Sequence, residues 1–425
     1  MPRSHAYPPD LAHYVEANWP LAPGLDVGAA RRPSRELLEE ALGVAFQASL
    51  TVEEARPTRF RLLLTAPTNL PESGTPNQGV LRLMFAESRT LNADELRRLA
   101  PAVPFETALI GAHPEHGKLR IWGVAHSGPA WLAPTWGGRD VVPNWTYDPI
   151  IHVTAPGHIA VRCAGHLVGA IERGLVVDAT LDVFESRWLR AMFEREREDI
   201  RAEHAAEQAQ AAVPTEVEHS LVGKVGQQML RRAIQLARGA NHGGLVLVAS
   251  DGPDGAPQLS GLRLKYTFGR DEPPRRYRTL LLNILRAVAE TSTKPSVGWT
   301  DFASNENPHF AALEQQVFEL SRVLANLTSI DGALVLDKRF SVLGFGAEVS
   351  AELPTPQQVY RALDAEGDER EPEPIENVGT RHRAAYRFVN DHPGGLAVVI
   401  SQDGAVSFVA NRAGQVVFWQ QSVSP

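Results

Sequence analysis

Apolar positions in the first half of the chain fall at two spacings. From Pro33-Ser34 onward, Leu37, Leu38, Ala41, Leu42 and Ala45 keep helical intervals, with Glu36, Glu39 and Glu40 in the opening turns, where carboxylates favour a helix N-terminus. Short strand-like runs follow at 60–64, 80–85, 107–110 and 119–124. Asn92, ahead of Ala93-Asp94-Glu95-Leu96, offers a side-chain cap to a short helix. After a Pro/Gly/Trp-rich stretch, further strand signals lie at 150–153, 158–162 and 175–177. Residues 1–181 therefore read as an α+β domain, with no internal repeat.

The pattern changes at Asp182. Trp188, Met192, Phe193 and Ile200 form an incomplete apolar stripe, and 194–207 is dense in mixed charge, which predicts a long exposed helix breaking near Pro214. Residues 182–214 are read as a charged linker helix, either a solvated connector or one that couples domains or dimerises. Beyond it, Val222, Val225, Met229, Ala233 and Leu236 keep helical spacing up to a stop at Gly239, and 244–249 is the continuous apolar run of a buried strand. Helices are expected at 280–288 and 313–324, and strands at 333–336, 340–345, 396–400, 406–409 and 416–419. The fold class expected for 215–425 is α/β, a mixed sheet flanked by helices.

Composition narrows this picture. A chain of 425 residues calls for two or three domains, and 43% hydrophobic with 22% charged residues fits a globular protein. The net charge of −8 argues against a broad basic nucleic-acid surface, while a local anion site stays open. Cys163 is the single cysteine, so there is no internal disulfide framework or cysteine-rich zinc site, and a reducing cytoplasm is expected. The N-terminus lacks the basic-then-apolar order of a signal peptide, and no apolar run reaches the about 20 residues that span a bilayer. A cytoplasmic protein without membrane contact is the expectation.

Three segments of the second half call for more than packing. Asp331 precedes Gly332 and the apolar run that starts at Ala333. A carboxylate at a strand mouth can hold a divalent metal, and the glycine admits a ligand to the backbone; the same dipeptide is also an ordinary turn. Gly379-Thr380-Arg381-His382-Arg383-Ala384-Ala385 gathers a hydroxyl, free N–H groups and guanidinium forks at a helix start, where phosphate oxygens are favoured. An exposed basic helix start is the plain alternative. Ser401-Gln402-Asp403-Gly404 leaves a strand with a hydroxyl and a carboxylate, able to meet phosphate and metal, or to serve as a hairpin turn.

In this order the segments resemble the diadenylate cyclase family (DisA-N or DAC domain), whose motifs are Asp-Gly-Ala, Gly-Thr-Arg-His-Arg-Ala-Ala and a Ser-Glu-Glu-type strand end. Gly243-Gly244-Leu245-Val246-Leu247 is similar to the family's opening strand, and Val342-Leu343-Gly344-Phe345-Gly346 to the strand and glycine turn after Asp-Gly-Ala. The resemblance covers about 220–421. It implies one ATP per protomer, a face-to-face homodimer or a higher oligomer, Mg²⁺ or Mn²⁺ as cofactor, and closure of cyclic di-AMP with release of pyrophosphate. It assigns metal binding and 3′-hydroxyl activation to Asp331, a further metal contact to Asp403, and phosphate binding to Thr380, Arg381, Arg383 and Ser401. His382 orients the motif or touches phosphate; Gly332, Ala333, Gly346 and Gly379 line the nucleotide. The catalytic set is thus Asp331, Arg381, His382 and Arg383.

The pattern departs from the family in places. Leu-Pro-Leu-Ser after the glycine turn is replaced by Ala347-Glu348-Val349-Ser350, and Ser-Glu-Glu by Ser401-Gln402-Asp403. Asp331 and Arg381 lie 50 positions apart, the excess being an acidic loop at 364–376 that reads as a lid or a solvated insertion. The segment 251–309 is also longer than the family pattern. A non-catalytic nucleotide-binding signalling module, or a cyclase of different nucleotide preference, remains the alternative.

The first half is similar to the sensor modules that precede some of these cyclases, the type called DACNV, starting at Tyr7-Pro8-Pro9-Asp10-Leu11. This implies regulation by an unknown sensor ligand. Trp122, Trp131, Trp136 and Trp145 either pack a core or line a pocket. His152, His158 and His166 show no metal spacing, and Cys163 reads as a buried small hydrophobe.

Overall fold

In the computed structural model of the chain the described residues are 5–19, 33–53, 56–70, 80–128, 136–139, 147–163, 165–172, 174–178, 181–209, 215–240, 242–268, 276–305, 307–375, 378–402 and 404–421. They divide into two compact units, one formed from 1–135, 140–179 and 424–425, the other from 136–139 and 180–423.

In the first unit, two prolines open α1 (Pro8–Asn18), and the Tyr7 N–H donates to Asp10 Oδ2 at 2.8 Å. Ser34 caps α2 (Arg35–Ser49) and Asn92 caps α3 (Ala93–Leu99), each accepting a first-turn N–H, the second as the sequence predicts. The strands are β1 (Phe60–Leu64), β2 (Leu81–Thr90), β3 (Ala108–Glu115), β4 (Lys118–His126), β5 (Ile150–Ala155), β6 (His158–Cys163), β7 (His166–Glu172) and β8 (Leu175–Asp178). They form one sheet in the order β8-β7-β6-β5-β1-β3-β4-β2, in which only β1 and β3 pair in parallel. The helices cover one face through Leu11, Leu38, Leu42, Leu62 and Ile151. Strand β7 is absent from the sequence reading. Gly169 interrupts its apolar pattern because a Cβ there would stand 2.7 Å from the Tyr14 ring of α1.

The second unit begins with the segment read as a linker. It forms α4 (Arg187–Met192) and α5 (Glu194–Gln208), and both pack into this unit's core. Trp188 stacks on Trp419 with ring centroids 4.5 Å apart and donates its indole N–H to Ala365 O at 2.9 Å; Ile200 is buried as well. The further helices are α6 (His219–Gly239), α7 (Arg276–Thr291), α8 (Trp299–Ala303), α9 (Pro308–Leu327) and α10 (Thr380–Asp391). The strands are β9 (Gly244–Val248), β10 (Leu262–Arg263), β11 (Ala333–Leu336), β12 (Val342–Val349), β13 (Val359–Ala362), β14 (Arg370–Glu373), β15 (Leu396–Ile400), β16 (Val406–Arg412) and β17 (Gln415–Gln421). Their order is β10-β12-β11-β9-β15-β16-β17-β13-β14, a mixed sheet.

Period-two alternation decides which helix each strand residue meets. Val246, Val248, Leu334, Leu336, Val398 and Ile400 join the core with α6, α7 and α9. Their neighbours Leu245, Leu247, Ala333, Val335, Ala397 and Val399 join the opposite core with Ala385, Tyr386, Phe388 and Val389 of α10. The expected α/β sheet flanked by helices is therefore present.

Three local expectations change. The strand expected at 340–345 starts only at Val342, because Phe340 sits in a turn with φ 57°. The acidic loop at 364–376 is in large part the edge hairpin β13–β14, at the far end of the sheet from β11, with Pro372 on the outermost strand where no ladder donor is needed. Trp136–Arg139, from the Trp-rich stretch, belongs to the second unit. Gly138 N–H donates to Gln228 Oε1 at 3.1 Å, and Arg139 meets Glu314 through its backbone N–H at 2.8 Å and its Nε at 2.9 Å.

Candidate functional site

Strand register brings the candidate residues to one end of the central strands. β9 and β11 run parallel with Val246 opposite Leu334, which puts Gly332 level with Gly244. β9 and β15 run antiparallel with Gly244 opposite Ile400, so Ser401 leaves the sheet at that same end. Ala333 pairs with Ala347 at the same end, where the Gly346 and Ala347 backbone closes on Gly332.

Gly332 and Gly346 touch through the backbone. A Cβ on Gly332, at φ 112°, would lie 2.5 Å from the Gly346 carbonyl carbon and 2.9 Å from both N and O of Ala347. No side chain fits, which explains the glycine in Asp-Gly-Ala more strongly than a turn does. Asp331, one residue earlier, is exposed and makes no hydrogen bond or ion pair among the described residues. Its carboxylate is thus uncommitted at the strand mouth.

Gly379 is the N-cap of α10, with extended backbone, and its carbonyl accepts from Arg383 N at 3.1 Å. Arg381 reaches back from the first turn to the start of β9. Its Nη2 donates to His242 O at 3.3 Å, and its Nη1 stands 3.0 Å from where a Gly243 Cβ would be. The same Cβ would be 3.0 Å from Ile400 O, and Gly243 has φ 66°, so this glycine lets the guanidinium settle between β9 and β15. Arg381 has no carboxylate partner among the described residues, and Arg383 is exposed without an ion pair among them. Thr380 and Arg383, three apart, share one helix face, while Arg381 lies on the next. His382 Nε2 approaches Ser407 Oγ of β16 at 3.5 Å, which holds the imidazole toward the sheet. Two arginines at one helix start, where the helix dipole is positive, make a cationic corner.

Ser401 opens the β15–β16 turn. Its N–H donates to Ala405 O at 2.8 Å and its carbonyl accepts from Gly404 N at 3.0 Å, so the segment forms a hairpin and still delivers a half-buried serine to this end. Asp403, expected as a metal contact, lies outside the described residues. The described groups competent to cluster around a cation, Glu194, Glu198 and His219, are exposed on α5 and α6 and do not include Asp331.

Tyr266 and Phe268 escaped the sequence reading. They follow β10, within the segment judged too long, and lie over Phe345 with ring centroids at 4.9 and 5.8 Å. The signal is an aromatic-x-aromatic pair between Lys265 and Gly269, which composition alone does not separate from core packing.

Of the other aromatic and titratable candidates, Trp122, His152 and Cys163 resolve into packing, while His158 is half-buried and His166 exposed. Trp122 is buried against Gly111 and donates to Thr65 O at 2.9 Å. Trp131 and Trp145 lie outside the described residues. His152 is buried edge-on to Phe105, 5.5 Å between centroids. Cys163 is buried, its Sγ 3.3 Å from Tyr147 O, and burial pushes its thiol up to about 12. No helix among the described residues is long and apolar enough to cross a membrane.

No curated protein matches the chain. The family model described as "Probable sensor domain DACNV" matches residues 28–126, which hold α2, α3 and β1 to β4; no cyclase-domain model accompanies it. That match opens downstream of Tyr7 and lies within the first unit, which is thus similar to a sensor domain of this type.

Proposed function

We propose that the second unit is a metal-dependent nucleotidyltransferase that condenses two ATP molecules into cyclic di-AMP with release of pyrophosphate, and that the sensor-like first unit regulates it. The observation that carries this reading is the convergence of Asp331, the Gly332–Gly346 contact, Ser401 and the Arg381 corner at one end of β12, β11, β9 and β15. Neighbouring strands are about 4.8 Å apart, so these groups span a width suited to one nucleotide. The donor set also fits the chemistry. Arg381, Arg383 and the α10 N–H groups neutralise a triphosphate and its departing pyrophosphate, and Ser401 adds a hydroxyl donor. The Gly332–Gly346 contact packs backbone on backbone and so fixes the strand mouth that carries Asp331.

Asp331 would hold Mg²⁺ or Mn²⁺, which when bound polarises the α-phosphate and favours ionisation of the attacking 3′-hydroxyl. Each 3′-oxygen attacks the α-phosphorus of the opposing ATP, and pyrophosphate leaves. A two-fold product requires two equivalent sites facing each other, hence a homodimer.

The test is incubation of the purified chain with each NTP and Mn²⁺, with pyrophosphate followed by a coupled assay and nucleotide products by mass spectrometry. Cyclic di-AMP from ATP is the expected result. ATP binding without turnover under any metal identifies a binding module instead, and turnover of another NTP identifies a different base preference.

A further inference from the structure

Beside the Gly332–Gly346 contact lies an aromatic surface that the phosphate and metal groups do not use. Tyr266 and Phe345 form an isolated antiparallel bridge, with Tyr266 N to Phe345 O at 3.2 Å and Phe345 N to Tyr266 O at 3.0 Å. Their rings stack 4.9 Å apart at 20°, and Phe268 adds a third ring 5.8 Å from Phe345. Tyr266 remains 52% exposed and Phe268 45%. One face of the tyrosine is therefore seated on Phe345 while much of the ring meets solvent.

Two glycines of β12 shape this surface. At Gly344 a Cβ would be 2.7 Å from Tyr266 O, so glycine lets the segment lie flat on the strand. At Gly346, with φ 63°, a Cβ would be 3.2 Å from Tyr266 Cδ2, so the ring edge rests where a side chain would otherwise stand. The Gly346 backbone in turn abuts Gly332, next to Asp331. Ring, glycine pair and carboxylate are contiguous. Arg263 and Lys265 are both paired with Glu348 beside them, which leaves the rings as the uncommitted feature.

We propose that Tyr266 and Phe268 are the nucleobase platform of this site, stacking the base of the nucleotide whose phosphates meet Arg381. The inference rests on the nucleotide reading given above and adds which residues take the base. It also supplies what the sequence lacks at 347–350, because the platform comes from the segment 259–268 and not from the residues after Gly346. Stacking is tolerant of base identity, since every base has a π-face. The platform therefore accounts for binding a nucleobase without choosing adenine.

The experiment is calorimetric titration of the full chain with ATP, GTP and inorganic tripolyphosphate, for wild type, Tyr266→Ala, Phe268→Ala and Tyr266→Phe, with circular dichroism and oligomeric state recorded for each. A base stack removed by alanine weakens binding by roughly 5- to 150-fold. The expected result is that loss for ATP and GTP in Tyr266→Ala, a smaller one in Phe268→Ala, unchanged tripolyphosphate affinity, and recovery in Tyr266→Phe. Wild-type protein that binds ATP no better than Tyr266→Ala does overturns the platform and leaves the phosphate site standing. Dissociation of an oligomer in Tyr266→Ala with ATP affinity intact also overturns it, in favour of a protein contact. Wild type that binds neither ATP nor tripolyphosphate removes the nucleotide reading and the platform together.

Discussion

Gly332 packs directly on Gly346, with 2.5 Å between the position of an added Cβ and the Gly346 carbonyl carbon. The atoms in the way are backbone, and the φ of 112° disfavours any L side chain. Gly332→Ala is expected to destabilise the second unit by about 2–4 kcal/mol, from left-handed strain plus overpacking. Urea unfolding measures it. A loss under about 0.5 kcal/mol would mean that β11 and β12 separate easily at this end.

Asp331, the preceding residue, gives the opposite expectation. It is exposed and unpaired among the described residues, so Asp331→Ala should leave stability within about 0.5 kcal/mol. Under the proposed reaction, turnover should drop about 100-fold or more, because the ion's charge stabilisation is worth several kcal/mol. Pyrophosphate release is the measurement, and unchanged release places the metal elsewhere.

Arg381 is held by a carbonyl and not by a carboxylate, which keeps its charge available. Arg381→Ala should weaken tripolyphosphate and ATP binding alike, by roughly 10- to 150-fold, the range of one charge-assisted hydrogen bond. Arg381→Lys restores only part, lacking the planar fork. Equal affinity in all three variants would remove Arg381 from the phosphate site.

Much of this was legible in the sequence, and the failures share a cause. Asp331-Gly332 and Gly379-Thr380-Arg381 are local signals, a glycine before a strand and a cationic helix start, and register then places them together. Asn92 is equally local, and its cap formed as expected. What was missed depends on partners far along the chain. The apolar run of the strand at 166–172 is broken at Gly169 because Tyr14 fills the space, and Trp188 looks like part of an exposed stripe until Trp419 covers it. Tyr266 resembles core aromatics until its ring is found half in solvent.

The linker helices supply a prediction of their own. Phe193, at the bend between α4 and α5, stacks on Phe340 with centroids 5.2 Å apart at 13°, while Tyr277 meets Phe340 edge-on at 5.2 Å. This clasp holds Phe340 at φ 57°, in the turn that joins β11 to β12. A cavity of about 60 Å³ lined by Phe193, Ile200, Tyr277 and Phe340 adjoins the clasp, so packing there is already incomplete. Phe193→Ala should cost about 1–3 kcal/mol in urea unfolding of the full chain. A neutral result would show that the α4–α5 layer is not integral to the second unit.

The same turn contains Asp337, whose Oδ1 accepts from Arg339 N and Ser341 N, both at 2.8 Å. Burial pushes this carboxyl above the usual range, against the pull of the Ser341 and Arg339 N–H groups. The folded state therefore holds the proton more tightly than the unfolded chain, whose Asp titrates near about 3.9. The stability this adds is fully present below that value and is lost as pH rises through the folded value, so ionised Asp337 is a net cost at neutral pH. Asn keeps the Oδ1 acceptor without the charge. Asp337→Asn should thus be more stable than wild type at pH 7, with the gap narrowing as pH falls toward 4, read from urea midpoints across that range. A gap independent of pH would assign the gain to something other than the buried charge.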